Sequence, residues 1–133
     1  MNTEELKIGD IVQYEGAALT IEEVSYGICS GIDNDGEWHG TIPCERITPI
    51  PLTEKILEKS GWYKSEYMST RGRAKLYRHG SATDMDRTCV CFYAQGIFLE
   101  MWQKHNIVRI EIKYVHQLQH LLWALGLNDD LKI

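Results

Sequence analysis

The stretch LKIGDIVQYEGAALTIEEVS, residues 6–25, decides what kind of fold the first third of the chain forms. Ile11 to Tyr14 make a short strand, and Glu15-Gly16 stop it. In the segment that follows, Leu19 and Ile21 alternate onto one face, the period of a half-buried strand. Val24 breaks that alternation, so a bulge or bend is expected between Ile21 and Val24. YGICSGI continues into Asp33-Asn34-Asp35-Gly36, residue types that tolerate positive φ and close a hairpin. Trp38, Gly40 and Ile42 then fall on one face of the return strand, and a last short strand is expected around Ile47. Five short strands in about 50 residues describe a small all-β unit.

Outward from this unit the pattern changes. Pro49-Ile50-Pro51 marks a boundary, because proline cannot donate to a sheet ladder. Thr53 is placed to cap a helix, Leu52 and Leu57 to staple its start, and Gly61 to end it. From Trp62 to Ile112 a meander of about five strands is expected. Val90, Phe92 and Ala94 alternate against Cys89, Cys91 and Tyr93. Ile97, Leu99 and Met101 follow the Gln95-Gly96 turn, and Val108, Ile110 and Ile112 follow Asn106. Each strand offers one apolar face to a common core, which a C-terminal helix in YVHQLQHLLWALG, residues 114–126, is expected to cover. The tail LNDDLKI adds a short strand or packs. The expected fold is therefore α+β: a β-barrel unit over residues 1–50, then a linker helix, antiparallel sheet and packed C-terminal helix over 51–133. Whether the two form one compact unit is left open.

Composition narrows the function classes. A chain of 133 residues is the size of one ordinary domain or two very small ones. MNTEELKIGD is acidic and unlike a signal peptide, and no apolar run approaches the ~20 residues of a membrane span. A cytoplasmic protein without membrane contact is expected. The four cysteines form no CxxC pair. Cys89 and Cys91 are two apart, a spacing that would strain a disulfide, so buried reduced thiols are expected. Residues 1–50 hold ten acids against Lys7 and Arg46, a net −8, and the rest of the chain carries +3. Such an asymmetry points to two structural units with different surfaces.

Residues Lys7-Ile8-Gly9-Asp10-Ile11-Val12, with the rhythm of short strands after them, resemble an SH3-like or KOW-like small barrel. KOW-type barrels often contact nucleic acid, but a charge of −8 repels phosphates. A wider resemblance rests on Pro49-Ile50-Pro51-Leu52-Thr53-Glu54-Lys55-Ile56-Leu57 with Gly61-Trp62, and on Ile112-Lys113-Tyr114-Val115-His116-Gln117-Leu118-Gln119. Both segments are similar to signatures of a family of small uncharacterised bacterial proteins, widespread in gut-anaerobe genomes and often near prophage or mobile-element genes. The resemblance implies a protein of an accessory genetic element; it carries no catalytic or binding residues over.

His116 and His120 have the i, i+4 spacing of helical metal ligands. On a wheel at about 100° per residue, Tyr114, Val115, Leu118, Leu121, Leu122 and Leu125 form the core stripe. His116, His120 and Trp123 fall on the opposite face. With Gln117 where HExxH has its glutamate, and no further ligand nearby in sequence, neither metal nor cofactor is expected. A tryptophan on that face is expected to be covered, by the LNDDLKI tail or the barrel folding over it, or else by a partner or second copy, for which the three residues form the candidate surface with tryptophan as anchor. Asp33-Asn34-Asp35-Gly36 fails as a calcium loop: with Gly36 sixth, Gly31 and Ile42 stand where acids are needed. No GxSxG, phosphate loop or carboxylate pair marks a catalytic site, and no enzyme is expected. Arg71, Arg73, Lys75 and Tyr77 share one face of an expected strand and are the candidate nucleic-acid surface. The expected role is a non-catalytic adaptor acting through protein contacts, ahead of a nucleic-acid-binding accessory factor and, weaker still, a small enzyme.

Overall fold

The computed structural model describes residues 1–65, 75–78, 87–103 and 106–133, with only the backbone of Arg87, Trp102 and Gln103. The described residues form two antiparallel sheets and two α-helices, an α+β chain. They divide into two compact units: Met1–Pro51 with Tyr114–Asp129, and Leu52–Lys113 with Asp130–Ile133. None of the described helices is long and apolar enough to cross a membrane.

In the first unit, β1 (Ile11–Tyr14), β2 (Ala17–Ser25), β3 (Ile28–Asp33) and β4 (Trp38–Pro43) pair in chain order. The expected bulge is present, as the β2–β3 register shifts between Ile21 and Glu23. The Asp33–Gly36 turn closes the β3–β4 hairpin: Asp33 accepts the Asp35 and Glu37 amides, and Gly36 takes φ +81°. Trp38 does not share a face with Ile42. A second bulge between Cys29 and Gly31, and a positive φ of 57° at Thr41, interrupt the alternation, so Ile42 is buried and Trp38 exposed. The expected fifth strand is replaced by a 3-10 turn, Cys44–Arg46, and a single bridge from Thr48 to Gln13. No closed barrel forms among the described residues; the sheet is four-stranded. Its core is Leu6, Val12, Leu19, Ile21, Cys29, Ile42, Cys44 and Ile47.

Helix α2 (Val115–Ala124) belongs to this first unit, which corrects its expected placement over the second sheet. The sequence shows an apolar stripe without saying which sheet it meets. Polar groups decide it: the Gln119 amide accepts the Ile11 N–H at 2.9 Å and donates to the Gly9 carbonyl at 3.0 Å. The helix ends at Gly126 (φ +71°), with Gly126 N–H on Trp123 O and Leu127 N–H on Leu122 O, a Schellman motif.

The second unit opens with α1 (Glu54–Lys59), capped as expected. Thr53 Oγ1 accepts the Ile56 amide, and the Gly61 and Trp62 amides close the C-terminus on Glu58 and Leu57. Its sheet runs β5 (Tyr63–Lys64), β6 (Lys75–Arg78), β7 (Arg87–Tyr93), β8 (Gly96–Gln103) and β9 (Asn106–Ile112), each pairing with the next. The middle of β7 is buried on both faces: Val90 opposes Leu99 on one, while Cys89 and Cys91 cluster with Leu76 on the other. The tail packs rather than adding a strand, with Leu131 buried and the Lys132 amide on Ser60 Oγ.

Candidate functional site

The tight turn Lys7-Ile8-Gly9-Asp10, with Gly9 at φ +95°, delivers Asp10 to the start of β1. A positive φ is cheap only for glycine, so Gly9 is what lets the turn fold back. The Asp10 carboxylate is buried and accepts two bonds, from the Lys7 amide at 2.8 Å and from His120 Nε2 at 2.7 Å. Burial pushes the Asp10 carboxyl above the usual carboxylate value, against the Lys7 amide and the His120 charge, which pull it down. A carboxylate fixes the ring nitrogen that faces it as the N–H, so Nδ1 of His120 is left with the lone pair.

One helical turn earlier lies His116, only 6% exposed. Its ring stacks on Tyr114 (centres 5.9 Å, 15° between planes) and meets His120 edge to face (5.6 Å, 78°). Its Nδ1 is the one buried side-chain nitrogen or oxygen without a hydrogen-bond partner among the described residues. Burial pushes the His116 pKa down, partly offset by Asp10. Both histidines and Glu5 line a cavity of about 410 Å³. His120 also lines a second, of about 250 Å³, with Lys7, Ile8, Asp129 and Trp123.

The outward placement of the histidine pair is therefore overturned, and for a physical reason. A wheel that locates the core by apolar residues alone misses a polar buried side. Val115, Leu118 and Leu122 are buried, but so are Gln119, whose amide bonds Gly9 and Ile11 at the turn before β1, and His116, whose ring packs between Tyr114 and His120. Trp123 is the member of the trio that stays outward, 70% exposed, with the Lys7 ammonium 5.9 Å from its ring centre. Asp10 and Gln119 escaped sequence reasoning; the available signal was the glycine turn that leads straight into Asp10.

The candidate nucleic-acid strip fares differently. Arg71 and Arg73 lie outside the described residues. Lys75 and Tyr77 do share a face of β6, as expected, but that face meets α1: Tyr77 is 1% exposed and its hydroxyl donates to Glu54 (2.8 Å) and Glu58 (3.0 Å). Burial, then these two carboxylates, push the Tyr77 phenol well up. Lys75 pairs with Glu54 at 3.3 Å. The buried Tyr77 ring is not a stacking platform for a base.

All four cysteines are free and buried. Cys89 is held below and Cys91 well above the usual thiol range by their mutual hydrogen bond, and burial leaves neither accessible as a nucleophile. On the β3–β4 hairpin, donor atoms of Asp33, Glu37 and His39 lie within 4.8 Å of one another. The Asp33 carboxylate there is already taken by His39 Nε2 (2.7 Å) and two backbone amides. No protein-family model matches the chain, and no curated protein or solved structure does.

Proposed function

We propose that the chain is a non-catalytic interaction protein whose first unit, an SH3-like module, binds a partner protein through the face carrying Ile8 and Trp123. One observation carries this reading. Trp123 and Ile8, each 70% exposed, flank one cavity, although exposing a tryptophan and an isoleucine together is unfavourable in a free monomer. Tryptophan beside a pocket is a common hot spot of protein interfaces. The first unit holds eleven acids against Lys7 and Arg46, a net −9, so the partner surface is basic. The SH3-like reading is supported by the Cys44–Arg46 turn, which returns the chain to the open edge of β1, where Thr48 bonds Gln13 in both directions. Service to an accessory genetic element follows from the sequence resemblance.

Purification of the tagged protein from its own cells, with and without nuclease, tests this reading beside a Trp123→Ala variant. A basic protein that survives nuclease and is lost from the variant is expected. Recovery that depends on nucleic acid, or that ignores residue 123, would overturn the proposal and favour the nucleic-acid alternative.

A further inference from the structure

We propose that His116 and His120, with Glu5, form a binding site for a divalent transition-metal ion such as Zn²⁺, and that Asp10 orients His120 as its carboxylate partner. Four observations on this one cluster lead there, none of them depending on the Trp123 face.

A metal-ligating histidine characteristically donates its other ring N–H to a carboxylate, which fixes tautomer and orientation. His120 does this through Nε2 to Asp10 at 2.7 Å, a buried carboxylate held in turn by the Lys7 amide. His116 is the complementary case. A buried imidazole nitrogen is almost always paired, yet His116 Nδ1 has no partner among the described residues. The spacing fits as well: two imidazoles on one tetrahedral zinc, at Zn–N of ~2.1 Å, have ring centres about 5 Å apart. Here the centres are 5.6 Å apart. Lastly, the cavity beside the pair, about 410 Å³, has room for an ion and is lined by Glu5.

Glu5 stands exposed at the end of the 3-10 turn Thr3–Glu5 and lines the same cavity, and its side chain must rotate to complete the ion's ligand set. The trio whose donor atoms already lie within 4.8 Å, Asp33, Glu37 and His39, is the natural control, because its Asp33 carboxylate is committed to His39 and to closing the hairpin. Two histidines and one carboxylate leave a fourth position to water or to a partner's side chain.

Calorimetric titration of the full chain with ZnCl₂, and absorption spectra with Co²⁺, test the site. One ion per chain is expected, with a tetrahedral cobalt spectrum. Affinity should fall at least tenfold in His116→Ala, in His120→Ala and in Glu5→Gln, and stay unchanged in His39→Ala. Glu5→Gln alters an exposed side chain and so keeps the test sound if the buried histidine variants fold poorly. No binding by the wild type, binding indifferent to Glu5 and His120, or binding lost in His39→Ala would each overturn the proposal.

Discussion

Replacing Gln119 by alanine should loosen helix α2 from the sheet it closes. The Gln119 amide spans two backbone groups more than a hundred residues away in sequence, accepting from Ile11 N–H at 2.9 Å and donating to Gly9 O at 3.0 Å. Each bond contributes about 1 kcal/mol net, so their loss costs about 2 kcal/mol. The exposed Gly9 carbonyl can turn to water, but the partly buried Ile11 amide cannot do so freely, adding about 1 kcal/mol. The expected destabilisation is about 3 kcal/mol in urea unfolding followed by circular dichroism, with faster hydrogen exchange at the Ile11 amide. Gln117→Ala is the matched control. Its side chain caps the Tyr114 amide, at 3.1 Å, and the loss of that bond should cost about 1 kcal/mol. A Gln119→Ala loss below about 1 kcal/mol, with unchanged Ile11 exchange, would refute the docking of the helix through this amide.

Three further outcomes follow from the same geometry. Trp123→Ala should lower stability by less than about 2 kcal/mol, since only about a third of a ~250 Å² side chain is covered, at ~25 cal/mol per Å²; a loss of 3–5 kcal/mol, roughly that of a buried tryptophan, would show the ring to be covered. Gly31→Ala should lower the melting temperature through a loss of about 2 kcal/mol, because a Cβ there runs into the Thr20 carbonyl and Leu19 Cγ; an unchanged melting temperature would contradict the close β2–β3 approach. Asp33 has its pKa lowered, first by the His39 hydrogen bond and then by the Glu37 amide. Its stabilisation of the hairpin is therefore present above the ordinary value of 3.8 and lost as pH falls through the lower folded value. The Asp35 and Glu37 amide shifts should titrate below 3.8, and a midpoint at or above 3.8 would contradict the bonding.

Local chemistry made much of the fold legible. Val24 out of phase announced the β2 bulge, Asp33 to Gly36 the hairpin, and Thr53 with Gly61 both ends of α1, because each signal acts within a few residues. Side-chain direction was lost where a single residue broke the period. Positive φ at Thr41 turned Trp38 away from Ile42, which no alternation rule foresees. The candidate site was hidden for a different reason. Asp10 and His120 are 110 residues apart, and their pairing depends on which sheet receives α2. The apolar stripe fitted either sheet; the polar contacts of Gly9, Asp10 and Ile11, with the Ile50 carbonyl on the Val115 amide, hold it on the first. Tyr77 shows the same limit: its neighbours on β6 were readable, but the helix carrying Glu54 and Glu58 over it was not.

The joining of the two ends of the chain at Asp10 and His120 is tested most directly by the ¹⁵N shifts and long-range ¹H–¹⁵N couplings of the His120 ring. The structure requires one dominant tautomer, with the proton on Nε2, shared with Asp10 at 2.7 Å and slow to exchange; Asp10→Asn should shift every His120 ring signal. Rapidly interconverting tautomers in the wild type, together with His120 signals that ignore Asp10→Asn, would contradict it.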